Sequence, residues 1–451
     1  MEINMVRDMT KGEPLRLLIA FSIPLIIGTL FQQTYSMVDT AIVGRLIGKQ
    51  ALAAVGATGS ITFFIIGFIN GMAEGACILV AQHFGSGDTK SLKRCVGNII
   101  YVSIAVVAVI TALALTFNET ILTVMKTPSD IIGDAKTYLT VIYSGMFATM
   151  LYNVLAGLLR ALGDSRSPLY FLIVASLLNV ILDVVFIAGF KMGVEGAAYA
   201  TVLSQLISAL CCFVYIMKKC GVLHLSADDL KFRGKMAVKI ILMGLPMGLQ
   251  NSVTAIGSIL VQRAVNPLGS DCVVAVSLAS RINDIFCVTL SAVGASVANY
   301  CGQNIGSGRL DRVRQGIRKS LIIMLFISVI AFVVCGFFGE ALGSLFLNDA
   351  SKDVLSLVGQ SLRILSPTFF ALGVLFSLRC AIQGLGYSLH AMLAGTVELV
   401  ARGGVALGFV GKYGYAAVCF SNPVAWVSAA LFLILLYVYV IGRVKRLHPE
   451  W

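Results

Sequence analysis

Stretches of about twenty apolar residues recur along the whole of this sequence, and no other feature limits its possible folds so severely. A helix rises 1.5 Å per residue, so each stretch is long enough to cross a hydrocarbon layer about 30 Å thick. About twelve occur, near 15–43, 52–81, 95–117, 136–160, 168–188, 193–216, 237–263, 272–301, 317–338, 356–382, 390–411 and 415–441. In hydrocarbon only helices or closed barrels satisfy every backbone group, and these windows are too long and too continuously apolar for alternating barrel strands. The expected fold is an all-α integral membrane protein. Composition agrees: 58% of the 451 residues are hydrophobic and 12% charged, and the mean hydropathy of +0.91 excludes a soluble domain.

The net charge of +12 raises the possibility of nucleic acid as a partner. Its distribution answers that. When the loops are assigned alternately to two sides, about 23 Lys and Arg fall on the side of the termini and about 9 on the other. The excess sits in "KSLKR", "KKCGVLHLSADDLKFRGK", "GRLDRVRQGIRK" and "GRVKRLH". This is the positive-inside pattern of a multi-pass protein of the cell membrane with both termini cytoplasmic, and no nucleic-acid partner is needed to explain it. The first apolar run is long and lacks a small-residue cleavage site followed by a polar chain, so it is expected to stay as the first helix. The 11 cysteines lie in or beside apolar windows without metal-binding spacing and read as small buried hydrophobes.

The chain is written twice. Residues 82–87 read "QHFGSG" and 303–308 read "QNIGSG", each at the end of a long helix and before a basic segment. "FSIPLIIGTLFQQ" and "LMGLPMGLQNS" place Pro24 and Pro246 at corresponding points, and "RALGD" at 160–164 is echoed by "IQGLGY" at 382–387. Three echoes at nearly one offset argue for duplication. Six helices per half make both halves enter the membrane from the same side, related by an axis along its normal. The expected organisation is an N-terminal lobe at 1–217, an interlobe linker at 218–236 and a C-terminal lobe at 237–451. Two such lobes suit a transporter that alternates between inward and outward openings; no selectivity-filter loop suggests a channel.

Charged groups near the bilayer centre are costly, by about 2.5 to 3.5 kcal/mol on insertion scales, and therefore mark function or pairing. Asp39 lies in the first helix. Asn179 and Asp183, four apart, share one face of the fifth, and Thr201 lies in the sixth. If that face meets Asp39 and Thr201, two carboxylates, an amide oxygen and a hydroxyl form an oxygen cage for a small hard cation, or a carboxyl pair that holds a proton. In the second half, the spacings of Arg281 with Asp284 and of Glu398 with Arg402 suit intrahelical ion pairs.

The duplicated six-helix layout, "IPLIIGTLFQQTYSMVDTAIVGRLIGKQALAAVG", "AQHFGSGD", "LRALGDSRSP" and "GVEGAAYAT" together resemble the MATE family of multidrug and toxic compound extrusion transporters, over essentially the whole chain. The resemblance implies a V-shaped pair of lobes and export driven by inward flow of sodium ions or protons. In the bacterial branch with an acidic N-terminal lobe, it implies a coupling-ion site at Asp39, Asn179, Asp183 and Thr201, which would hold Na+ if sodium is the coupling ion. Other branches carry a glutamate in the seventh helix, and "GLPMGLQNSVTAIGS" has no acid. The tenth-helix acid is also missing from "SPTFFALGVLFSLRCAIQGLG", so the resemblance places coupling in the N-terminal lobe.

Gln33, Tyr35, Asn153, Gln250 and Asn251 are candidate walls of a substrate cleft, with Glu74 and Arg281 as charged candidates. The expected function is a monomeric antiporter that exports amphipathic, often cationic small molecules, with H+ or Na+ as coupling ion and no other cofactor. The alternative is a flippase for a lipid-linked saccharide. Its polyanionic headgroup would call for several cleft cations, and only Arg281, Arg379 and Arg402 lie near the required depth. With four histidines, no HExxH and no nucleophile elbow, no enzyme is expected.

Overall fold

A computed structural model of the protein describes residues 8–346 and 351–447, and these form helices and turns with no strand. In chain order the helices are α1 (Pro14–Leu46), α2 (Lys49–Gly85), α3 (Thr89–Val124), α4 (Ile132–Ser144), α5 (Met146–Ala161), α6 (Arg166–Asp183), α7 (Val194–Lys219), α8 (Gly234–Val265), α9 (Ser270–Gly306), α10 (Leu310–Phe346), α11 (Lys352–Leu365), α12 (Phe369–Gly384), α13 (Ser388–Gly408), α14 (Val410–Tyr413) and α15 (Tyr415–Leu447). Eleven helical stretches among the described residues are long and apolar enough to cross a membrane. The pair α4 and α5, bent by 45° at their break, makes a twelfth span. Each of the twelve apolar windows lands in one of these spans.

The repeated Gly-Ser-Gly motif acts as a helix stop. At the end of α2 the Ser86 and Gly87 N–H groups donate to the Gln82 and Phe84 carbonyls, and Gly87 adopts φ +71. The end of α9 repeats this with Ser307, Gly308 and the Gln303 and Ile305 carbonyls, at φ +73. Glycine alone takes that left-handed conformation without strain. Asp88 then starts α3 by accepting from the Ser91 N–H at 2.9 Å.

The chain forms two compact units, and the second is drawn from both ends of the described chain. One holds Ile27–Asn251; the other holds Met9–Ile26 together with the chain from Ser252 onward. The boundaries thus fall inside α1 and α8, a few residues after Pro24 and Pro246, and not at 218–236. Proline removes one backbone hydrogen bond, and a helix that belongs to two bodies yields most readily there.

The physical reason for the exchange lies in the peptides that precede these helices. In the first unit, the Arg233 N–H donates to Asn98 Oδ1 at 2.8 Å, and Arg94 bonds Asp228 at 3.1 Å. Gly97 lets the backbone of Asp229 approach so closely that a Cβ would lie 2.2 Å from its carbonyl oxygen. The segment expected to be a linker is therefore packed structure. In the second unit, Arg312 donates to the Met9 and Gly12 carbonyls at 3.3 and 2.9 Å, and Asn304 to the Met9 carbonyl at 3.1 Å.

Candidate functional site

The acid site is assembled entirely in the first unit, from helices whose apolar faces fix their rotation. Asn179 and Asp183 are fully buried on α6, and α6 packs along α7. Asp183 is the last α-helical residue before a π-helical turn, Val184–Gly189. Such widened turns shift the side-chain register, and they recur at functional positions.

Asp39, half-buried on α1, faces Asp183 at hydrogen-bonding range. Carboxyl groups at that separation hold a proton or a cation between them, since two bare carboxylates repel. Asp39 Oδ1 and Asp183 Oδ1 are buried without a hydrogen-bond partner among the described residues. Buried acceptors left in this way seek a proton or a cation.

Asn179 and Thr201 join the acids with a difference from the expected oxygen cage. With its amide assigned so that both ends are satisfied, Asn179 donates its nitrogen to Asp183 Oδ2 at 3.3 Å and accepts with its oxygen from the Thr201 N–H at 3.2 Å. The amide thus turns a donor, not an oxygen, toward the acid. Thr201 Oγ1 donates along its own helix to the Ala197 carbonyl at 3.1 Å, which leaves its lone pairs open.

Two tyrosines complete the surroundings. Tyr35, one turn before Asp39 on α1, and Tyr138 on α4 both lie within electrostatic reach of the two acids. Tyr138 escaped the sequence reading because nothing in "AKTYLTVIYS" separates it from an ordinary packed tyrosine. Gln205 Oε1, on the Thr201 face of α7 one turn further along, is also buried and unpartnered among the described residues.

The other candidates are dispersed. Glu74 is exposed on α2, with Arg160 the cation acting on it, and the two form no ion pair among the described residues. Asn153 donates to the Thr149 carbonyl at 2.8 Å, and Asn251 to the Gly67 carbonyl at 2.8 Å. Gln33 is exposed and Gln250 half-buried. All of these belong to the first unit.

Arg281 lies exposed on α9 of the second unit. It and Asp284 make no ion pair among the described residues, although the arginine is the charge that acts most directly on Asp284. The rotamers of two exposed side chains three apart do not converge. Glu398 and Arg402 do pair, at 2.6 Å, and Arg379 joins them at 2.8 Å to Glu398.

The chain is similar to known proteins over most of its length. The MatE family model matches residues 24–185 and 246–410. A probable multidrug resistance protein of Bacillus subtilis, YpnP, is 29% identical over 87% of both chains. An FAD transporter of Shewanella oneidensis is 24% identical over 85% of both. Among solved structures, an outward-facing multidrug resistance MATE family transporter of the MOP superfamily matches with a TM-score of 0.90 at 23% identity, covering 97% of this chain and 98% of that one.

Proposed function

Because this chain belongs to the MatE family of transporters, we propose that it is a secondary antiporter that exports amphipathic small molecules, cations among them, in exchange for inward H+ or Na+. The two units alternate access to the two sides of the cell membrane, and both termini lie in the cytoplasm. The multidrug resistance relative supports the substrate class. One observation carries the coupling assignment: Asp39 and Asp183, brought from separate helices, face each other at hydrogen-bonding range, each with a buried oxygen left unpartnered.

Loading the pair neutralises a buried negative charge, and unloading restores it. The lowest-energy arrangement of the surrounding helices therefore differs between the two states. The orientation of the Asn179 amide favours H+ over Na+, since its donor faces Asp183 and would have to turn away to give sodium an oxygen ligand.

Reconstituted vesicles with the sodium and proton gradients imposed separately test this. Efflux driven by a proton gradient without sodium, and lost in Asp39→Asn, is expected. Efflux by a sodium gradient at clamped pH would overturn the proton assignment, and intact coupled efflux in Asp39→Asn would overturn the site.

A further inference from the structure

The second unit carries, at the position that corresponds to Asn179 of the acid site, the arginine of a cluster of opposite sign. Positive-φ glycines recur in pairs at 48 and 269, 87 and 308, and 163 and 386, offset by 221 to 223 residues, so the repeat in sequence is also a repeat in backbone. Counting 223 onward from Asn179 reaches Arg402, and from Ala175 reaches Glu398. The offset of 222 between Pro24 and Pro246 carries Tyr35 to Gly257 on α8. Arg402 lies against that residue: a Cβ on Gly257 would come within 2.4 Å of Arg402 Nη1. Where the first unit sets a neutral amide and a tyrosine around an acid pair, the second sets a guanidinium against a bare glycine.

The charge of this cluster does not balance. Arg379, Glu398 and Arg402 are 5%, 7% and 5% exposed, and the two arginines share the single carboxylate. Each guanidinium spends one of its five N–H donors on Glu398, and both Nε groups are buried without a partner among the described residues. Cys287, on α9, lies within electrostatic reach of Glu398, Arg402 and Asp284, and Arg281 is the cation that acts on Asp284. Including those two still leaves one net positive charge. A buried uncompensated charge with idle donors is unfavourable unless a counter-ion completes it, and arginine cannot shed its proton to escape the cost.

We propose that Arg379, Glu398 and Arg402 form an anion site in the second unit, which takes one singly charged anionic group, either a free halide or the acidic group of a transported molecule. Arg379 and Arg402 donate to the anion through the N–H groups that Glu398 leaves idle, and Glu398 holds the two guanidinium planes apart and limits the site to one negative charge. The arginines counted toward an anionic headgroup thus act at a compact site and not along an open wall.

Thermal unfolding of the full-length protein in detergent micelles, with no gradient involved, tests the proposal independently of the coupling assignment. Chloride is titrated against gluconate at constant ionic strength, sodium and pH, and benzoate serves in a second arm as an amphipathic carboxylate. A saturable rise in melting temperature of a few degrees is expected, because an anion that binds only the folded protein stabilises it by mass action. Chloride acting alone identifies a free inorganic anion; benzoate acting where chloride does not identifies the acidic group of a substrate. Glu398→Gln removes the competing carboxylate and should lower the half-saturating anion concentration about tenfold. Arg402→Gln should abolish the saturable response. If Arg402→Gln does not fold, Glu398→Gln decides. No saturable shift with either anion, or a half-saturation unchanged in Glu398→Gln, overturns the proposal.

Discussion

Replacing Asn179 by Ala would remove a side chain that ties both sides of the acid site together. Its amide satisfies Asp183 on α6 and reaches the Thr201 backbone on α7, so truncation leaves a buried carboxylate oxygen unpartnered and the two helices untied at that point. Loss of such an orienting contact is expected to lower coupled efflux by about tenfold or more while the protein still inserts; an unchanged initial rate in vesicles would show that the amide is incidental. A second residue fixes where pH dependence does not come from. Hydrogen bonds from Lys231 and Arg94 hold the Asp228 carboxyl down at about 2, below its ordinary 3.8. A carboxyl lowered on folding stabilises the folded state above its unfolded value and loses that contribution only as pH falls through the folded one. Asp228 therefore stays charged from pH 5 to 8, and Asp228→Asn should leave the shape of the transport–pH profile over that range unchanged. At this scale the sequence was readily legible for Asp39, Asn179 and Asp183, because an acid in an apolar window stands out and the i, i+4 spacing fixes a shared face. Tyr138 was hidden, since tyrosine belongs equally well in a core.

The helices owe their packing to features of two kinds, one visible in the sequence and one not. The Gly-Ser-Gly ends and the prolines were legible because their backbone chemistry is local. The seam between α2 and the first half of α8, within the first unit, was not, because glycines are common in membrane helices and their partners are known only once the helices meet. A Cβ on Gly71 would lie 2.5 Å from the Met247 carbonyl oxygen, and one on Gly75 would lie 2.6 Å from the Gly244 Cα. Gly244 in turn lies against the Met72 carbonyl, and Gly248 against that of Phe68. Backbones this close gain dispersion contacts that lipid cannot supply, and no side chain is flexible enough to yield. Gly75→Val should therefore destabilise the protein by about 1–3 kcal/mol and lower its melting temperature in detergent. Gly56→Ala, which meets nothing within 4 Å, should not. Equal melting temperatures for the two variants would show that the seam is slack.

For the molecule as a whole, duplication predicts two similar frames, and the paired positive-φ glycines bear this out at the level of backbone. It does not reveal that the unit boundaries fall inside α1 and α8, so that each unit holds the first half of a helix whose second half belongs to the other. That exchange depends on Arg312, Asn304, Asn98 and Arg94 gripping the peptides before those helices, and only the first unit's grip uses a segment polar enough to be mistaken for a free linker. The frames also differ in chemistry: the acid pair of one corresponds to Val261 and Ala406 in the other, and Asn179 beside it to Arg402 of a charged cluster. At the positions that the repeat gives for Asp39 and Asp183 the second unit has Val261 and Ala406, so the proposed coupling assignment leaves it no equivalent pair to take over with. Removing one acid should then abolish gradient-driven efflux altogether, not halve it. The double variant Asp39→Asn/Asp183→Asn should be no worse than either single one, since residues that act as one unit are not additive. Initial efflux rates in vesicles for both single variants and the double variant check this. A single variant that kept about half the wild-type rate, and lost it only when Glu398 was also neutralised, would mean that the two units share the coupling.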